Sequence, residues 1–273
     1  MIEPVEFLTI YCCFEDVATV SRMLPTVLGE SQRAGAAVVV HDCSVNNRSA
    51  MDALIQDLKR EHTFFFVHTD TIPMGLARNM AMWIALEIYA PTYICMIEDD
   101  HGYSSGLIPE MVDAMKKFYG KESPSGLRYG MFTACPFCWG ESYLNALVPA
   151  EDCRHRVVDA SRVDPMMAGG ANSCFRCAPT LHWISVLRGY DVDEYPISPF
   201  QTAGINFRNY HKGFTAMVVR NGDLVLRQER EGRGFTTTSE RRPFSLEYAA
   251  RDPRSGFLAA SSQLSPKANG EDP

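Results

Sequence analysis

Along the first 120 or so residues the apolar positions fall into two rhythms. The runs EFLTIYCC, AAVVVHD, TFFFVHT and TYICMI are almost unbroken and have the length of strands. Uniform rather than alternating hydrophobicity marks strands covered on both faces. Between them lie DVATVSRMLPTVLGESQ, RSAMDALIQDLKREH, MGLARNMAMWIALEIY and SGLIPEMVDAMKKFYG, whose apolar residues recur every three or four positions, the first despite Pro25. These read as helices with one buried face. Strand and helix in repeated alternation predict a Rossmann-like α/β/α sandwich around a mostly parallel sheet. Beyond that point the rhythm breaks into YGMFTACPFCWGE, a loop-rich stretch, GGANSCFRC, a helix over APTLHWISVLRG and a strand at HKGFTAMVV. The last stretch, SSQLSPKANGEDP, is polar and without period, and reads as a disordered tail.

Ligands of such sheets gather at the carboxyl ends of the strands. The sequence puts polar chemistry there: Cys13, Phe14 and Glu15 where the first strand stops, Asp42 after the second, and Glu98, Asp99 and Asp100 in a row after the fourth. Adjacent carboxylates raise one another's pKa unless a positive charge sits between them, and a divalent cation is the usual one. Mn²⁺ or Mg²⁺, which prefer oxygen ligands, suit this set better than zinc. The alternative is a solvated turn whose acids cap the helix that starts near Gly106. Asp42 likewise has a local alternative as a turn former in HDCSVNN, and Arg78 as a surface arginine.

A chain of 273 residues with 46% apolar composition can bury one good core. Its net charge of −7 argues against a nucleic-acid partner and for a small molecule or neutral polymer. No basic leader and no run of about 18 apolar residues is present, so the expectation is a soluble, cytoplasmic protein with no transmembrane segment. The nine cysteines lie mostly in apolar segments and read as buried free thiols. Two CxxC pairs, Cys135 with Cys138 and Cys174 with Cys177, would allow a tetrathiolate zinc site, though their separation exceeds that of a zinc ribbon. No pattern specifies an oligomeric state.

Four of these features stand in a familiar order. VVVHDCSVNN resembles a D-G-S-x-D turn, MGLARN a G-x-A-x-A-R-N helix start, YICMIEDD a D-x-D strand end and GGANSCFRC a G-G-x-x-x-x-x-R strand. Together, over about residues 5–215, they resemble glycosyltransferase family 2, nucleotide-sugar-dependent enzymes of the GT-A fold. The resemblance implies a catalytic domain over residues 1–220, with a nucleotide-binding half to about 105 and an acceptor-side half from 106 to 220. Residues 221–258 would then be an Arg-rich extension or closing loop, and 259–273 the tail. It implies a hexosyltransferase moving sugar from a UDP- or TDP-type donor to a glycan or small-molecule acceptor. Nucleotide binding falls to Cys13, Phe14, Glu15, Asp42, Arg78 and Asp99, with Asp42 accepting the base N–H, and metal binding to Glu98, Asp100 and His211.

One position departs from the pattern. Where an inverting enzyme of the family carries a Glu-Asp pair, this chain has Gln201 and Thr202, which take no proton at neutral pH. Asp191, Asp193 and Glu194 are the nearest candidate bases; a retaining reaction or a silent site is the alternative. Rival readings from other classes are a catalytically silent nucleotide-sugar-binding protein and a metal-dependent nucleotidyltransferase.

Overall fold

The computed structural model describes residues 2–69, 74–99, 101–103, 105–134, 147–152, 154–159, 175–190, 198–219 and 226–228. The amino-terminal elements follow the expected alternation. They are strands β1 (Glu3–Cys13), β2 (Ala37–Asp42), β3 (Phe65–His68) and β4 (Tyr89–Glu98), with helices α1 (Val17–Arg33), α2 (Arg48–Leu58), α3 (Met74–Ile88) and α4 (Leu107–Phe118). Helix α1 runs through Pro25, because its buried face of Leu24, Val27 and Leu28 outweighs one missing N–H. Later come β5 (His101–Tyr103), β6 (Arg128–Ala134), β7 (Leu147–Pro149), β8 (Arg156–Val158), β9 (Phe175–Pro179), β10 (Phe214–Val219) and β11 (Leu226–Gln228). Two further helical elements follow among the described residues: Thr180–His182, which passes into a π-helical turn at Trp183–Leu187 and is here called α5 with it, and α6 (Ser198–His211).

Among the described residues nine strands form one sheet in the order β3-β2-β1-β4-β9-β6-β10-β8-β7. Its first four strands are parallel, and β9 runs antiparallel between β4 and β6. Two apolar cores follow from the alternation of side chains across the sheet. Leu24, Met51 and Met111 of α1, α2 and α4 join Phe7, Val40 and Ile97 on one face, and Ala81, Trp183 and Ile205 of α3, α5 and α6 join Ile10, Val39 and Met96 on the other. The result is the expected α/β/α sandwich. Burial of five described cysteines as free thiols, Cys12, Cys13, Cys43, Cys95 and Cys177, also matches the sequence reading.

Helix α4 is capped from a distance. Gly106 at its N-cap has no side chain to offer, and Glu30 of α1, wholly buried, accepts the Gly106 N–H at 2.6 Å and the Ser105 hydroxyl at 2.8 Å. No helix among the described residues is long and apolar enough to cross a membrane.

Candidate active site

Parallel pairing brings the ends of β1, β2 and β4 to one edge of the sheet, with Cys13 beside Asp42 and Cys12 beside Glu98 in register. The loops are then tied together by carboxylates. Asp99 accepts the Phe14 amide N–H at 2.9 Å, joining the end of β4 to that of β1. Glu15 holds a left-handed backbone at φ 58°, and its carboxylate accepts the amides of Val45, Asn46 and Asn47 at 2.8, 2.9 and 3.0 Å. Partial desolvation raises the Glu15 pKa, but the three amides outweigh it and the net shift is downward. Glu15, expected at the nucleotide, therefore serves as the clamp of the loop that precedes α2.

Asp42 is wholly buried. Its Oδ1 accepts the Ser44 amide at 3.0 Å and the Ser44 hydroxyl at 2.6 Å, and its Oδ2 faces His68 Nδ1 at 2.9 Å. The turn-forming alternative for Asp42 is thus realised, and direct contact with a base would first have to displace His68. The reason is register: His68 ends β3 at the position paired with Asp42. Behind them, on the opposite face, His41 Nε2 lies 3.0 Å from the Thr69 hydroxyl, and burial pushes the His41 pKa down to about 4.

Glu98 lies in a cluster of the opposite charge balance. Its Oε1 stands 2.6 Å from an Arg78 guanidinium nitrogen and 3.6 Å from one of Arg176, and both arginines are buried. Tyr190 roofs the pair: its hydroxyl accepts from Arg176 at 2.9 Å, and Arg78 lies 4.9 Å from its ring centre. Asn79 fixes that roof by donating to the Tyr190 carbonyl at 2.6 Å and accepting the Tyr190 amide at 2.8 Å. Glu98 was expected to bind metal. Its longer side chain instead engages Arg78, so the carboxylate is already neutralised by protein cations.

The remaining sequence expectations divide by position. Asp100 and the candidate bases Asp191, Asp193 and Glu194 lie outside the described residues, as do Cys135, Cys138 and Cys174. His211 is misplaced for a metal ligand. It ends α6 just before Phe214 opens β10, and β10 runs parallel to β6 and hence to β4, so His211 sits at the sheet edge opposite Glu98. Its ring packs on Phe207 at 4.0 Å between centres. By the same geometry α6, whose fourth and fifth positions are 201 and 202, begins at the Glu98 edge. Among the described residues no three His, Cys, Asp or Glu side chains gather as a metal-binding group.

Three participants escaped the sequence reading. Arg176 was legible only as part of a strand motif, although an arginine within an apolar run, CFRCAP, is a signal in itself. His68 and Tyr190 carried no motif. A further surprise is β11, whose Leu226–Gln228 pair antiparallel with Tyr103–His101, just after the acidic triplet, so the start of the Arg-rich extension is stitched to this edge.

No protein-family model matches the sequence, and no curated protein sequence does. Solved structures do match. A mannosyltransferase of Pyrobaculum calidifontis, in complex with GDP-Man and Mn²⁺, superposes with a TM-score of 0.59 at 14% identity over 99% of this chain and 66% of that one. TarS 1–349 of S. aureus gives 0.60 at 9% identity over 95% of this chain and 72% of the other. GalNAc-T7, with UDP, GalNAc and Mn²⁺, gives 0.62 at 12% identity, covering 95% of this chain and 51% of that one. The chain thus spans about half to three quarters of these proteins. At such identities the likeness is one of architecture, and it establishes that this chain has the GT-A fold.

Proposed function

We propose that this protein is a glycosyltransferase that takes a sugar from a UDP- or TDP-type donor, with Mn²⁺ or Mg²⁺, and passes it to a glycan or small-molecule acceptor. The observation that carries the reading is the convergence at one sheet edge of the β1, β2 and β4 ends, tied by Asp99 to Phe14 and by Glu15 to the loop before α2. It is supported by the shared fold of neighbours whose structures contain GDP-Man or UDP with Mn²⁺.

The residues fit a metal in part. Carboxylate oxygens after β4 are the donors that Mn²⁺ or Mg²⁺ prefer. Glu98, however, is engaged by Arg78 and Arg176, so we assign the ligand role to Asp100 and give Glu98 the task of holding Arg78. A bound divalent ion would oppose the charge that grows on the leaving diphosphate. Asp99 would keep the β1 and β4 ends together under the donor, and Arg78 with Arg176 would add positive potential beneath it. For the base we retain Asp191, Asp193 and Glu194, supported by Asn79, which pins the adjoining Tyr190 backbone close to Arg78. An inverting outcome is part of this proposal.

One observation favours a silent donor-binding protein instead: Gln201 and Thr202 stand where acids are expected, in a helix turn at the Glu98 edge. Calorimetric titration of UDP with and without Mn²⁺, followed by a donor-hydrolysis assay, tests both readings. Binding that depends on Mn²⁺, lost in Asp100→Ala with the fold intact, is the expected result. UDP binding indifferent to metal in the wild type would sink the metal assignment, and donor binding without turnover would favour the silent protein.

A further inference from the structure

We propose that His68, held by Asp42, reads the nucleobase of the donor, selecting bases with a ring N–H on their pairing edge (uracil, thymine, guanine) over cytosine and adenine. The inference rests on the donor reading above. It begins with a question of hydrogen positions. Asp42 Oδ2 is an acceptor, so the His68 Nδ1 that faces it at 2.9 Å carries the ring hydrogen. In the neutral imidazole the other nitrogen, Nε2, is left with a bare lone pair. That atom is buried and has no hydrogen-bond partner among the described residues.

Native proteins seldom leave a buried polar atom unmatched, and the exceptions point to a water, an ion or a ligand. Location argues for a ligand. His68 closes β3 in register with Asp42 at the end of β2, on the edge where parallel sheets hold their ligands. His41 does not compete, since its Nε2 is occupied by Thr69. A lone pair at Nε2 accepts the N3–H of uracil or thymine or the N1–H of guanine. Cytosine N3 and adenine N1 carry no hydrogen and would set lone pair against lone pair.

Asp42 is then a positioning residue, and its own substitution makes a sharper prediction than loss of function. Both Ser44 donors point at Oδ1, so in Asp42→Asn the amide oxygen belongs there and the amide nitrogen faces His68. Nδ1 must then accept, the ring hydrogen moves to Nε2, and the preferred bases become those with a ring acceptor.

The test uses the full chain with Mn²⁺ and calorimetric titration of UDP, GDP, CDP and ADP. Wild type is expected to bind UDP and GDP about tenfold more tightly than CDP and ADP, the size of one hydrogen bond. His68→Asn, which keeps a donor toward Asp42 but lacks Nε2, should erase the preference, and Asp42→Asn should reverse it. Imidazole ¹⁵N shifts should show hydrogen on Nδ1 in the wild type and on Nε2 in Asp42→Asn. If that variant does not fold, the His68→Asn ranking and the wild-type shifts decide alone. A wild type without preference, an unchanged ranking in His68→Asn, or a wild-type hydrogen on Nε2 overturns the inference and leaves the donor reading standing. No binding of any of the four nucleotides would bring down the donor reading and this inference with it.

Discussion

Asp42 and Glu98 flank β1 on either side at the same sheet edge, yet they face opposite sides of it. Asp42 alternates with Val40 and belongs to the face covered by α1, α2 and α4, whereas Glu98 alternates with Met96 and faces α3. Both carboxylates are nearly removed from water, and each solves the problem differently. Asp42 uses a serine and a histidine, so its charge is spread into hydrogen bonds and its orientation passes to an imidazole. Glu98 uses two guanidinium groups, so its partners among the described residues are cations. The first arrangement suits discrimination among neutral bases, which depends on where hydrogens lie; the second suits a polyanion, which depends on net potential.

Three experiments on stability would break or sharpen that contrast. The largest effect is expected for Glu98→Ala, which removes the carboxylate that the buried Arg78 and Arg176 share. Removing one partner of a buried ion pair costs about 3–5 kcal/mol, so the urea midpoint should fall steeply. A change within error would show that the cluster is hydrated and that the contrast of charge is illusory. Asp42→Ala should cost less, about 1–3 kcal/mol for hydrogen-bonded groups left unmatched. A loss equal to that of Glu98→Ala would mean that the two sites are alike.

The smallest effect at neutral pH concerns His41, and it grows on acidification. Burial depresses its pKa to about 4, with Asp42 opposing and His68 adding. The unfolded chain therefore takes up the proton first, as pH falls from about 6.5 toward 4, and the contribution of His41 to stability is full above that window and lost through it. Urea midpoints measured across this range should slope downward on acidification in the wild type and flatten in His41→Gln. Identical slopes would place His41 in water.

Local pattern along the chain set the order of elements and the edge at which chemistry collects. Helix and strand periods are set by neighbours a few positions away, so EFLTIYCC, AAVVVHD and TYICMI announced β1, β2 and β4, and parallel connections then forced Cys13, Asp42 and Glu98 to one side. Helix α6 was illegible because SPFQTAGINFRNYH mixes helix formers with turn residues and has only a weak apolar stripe. Only the tertiary structure decided which acids are already engaged. The partners of Glu98 come from a helix before it and a strand long after it, and the partner of Asp42 comes from the end of the next strand. His211 was lost to the candidate site for the same reason. The sense of each strand from β9 to β10 fixes the edge at which it stands, and strand sense depends on long-range pairing that no local pattern records.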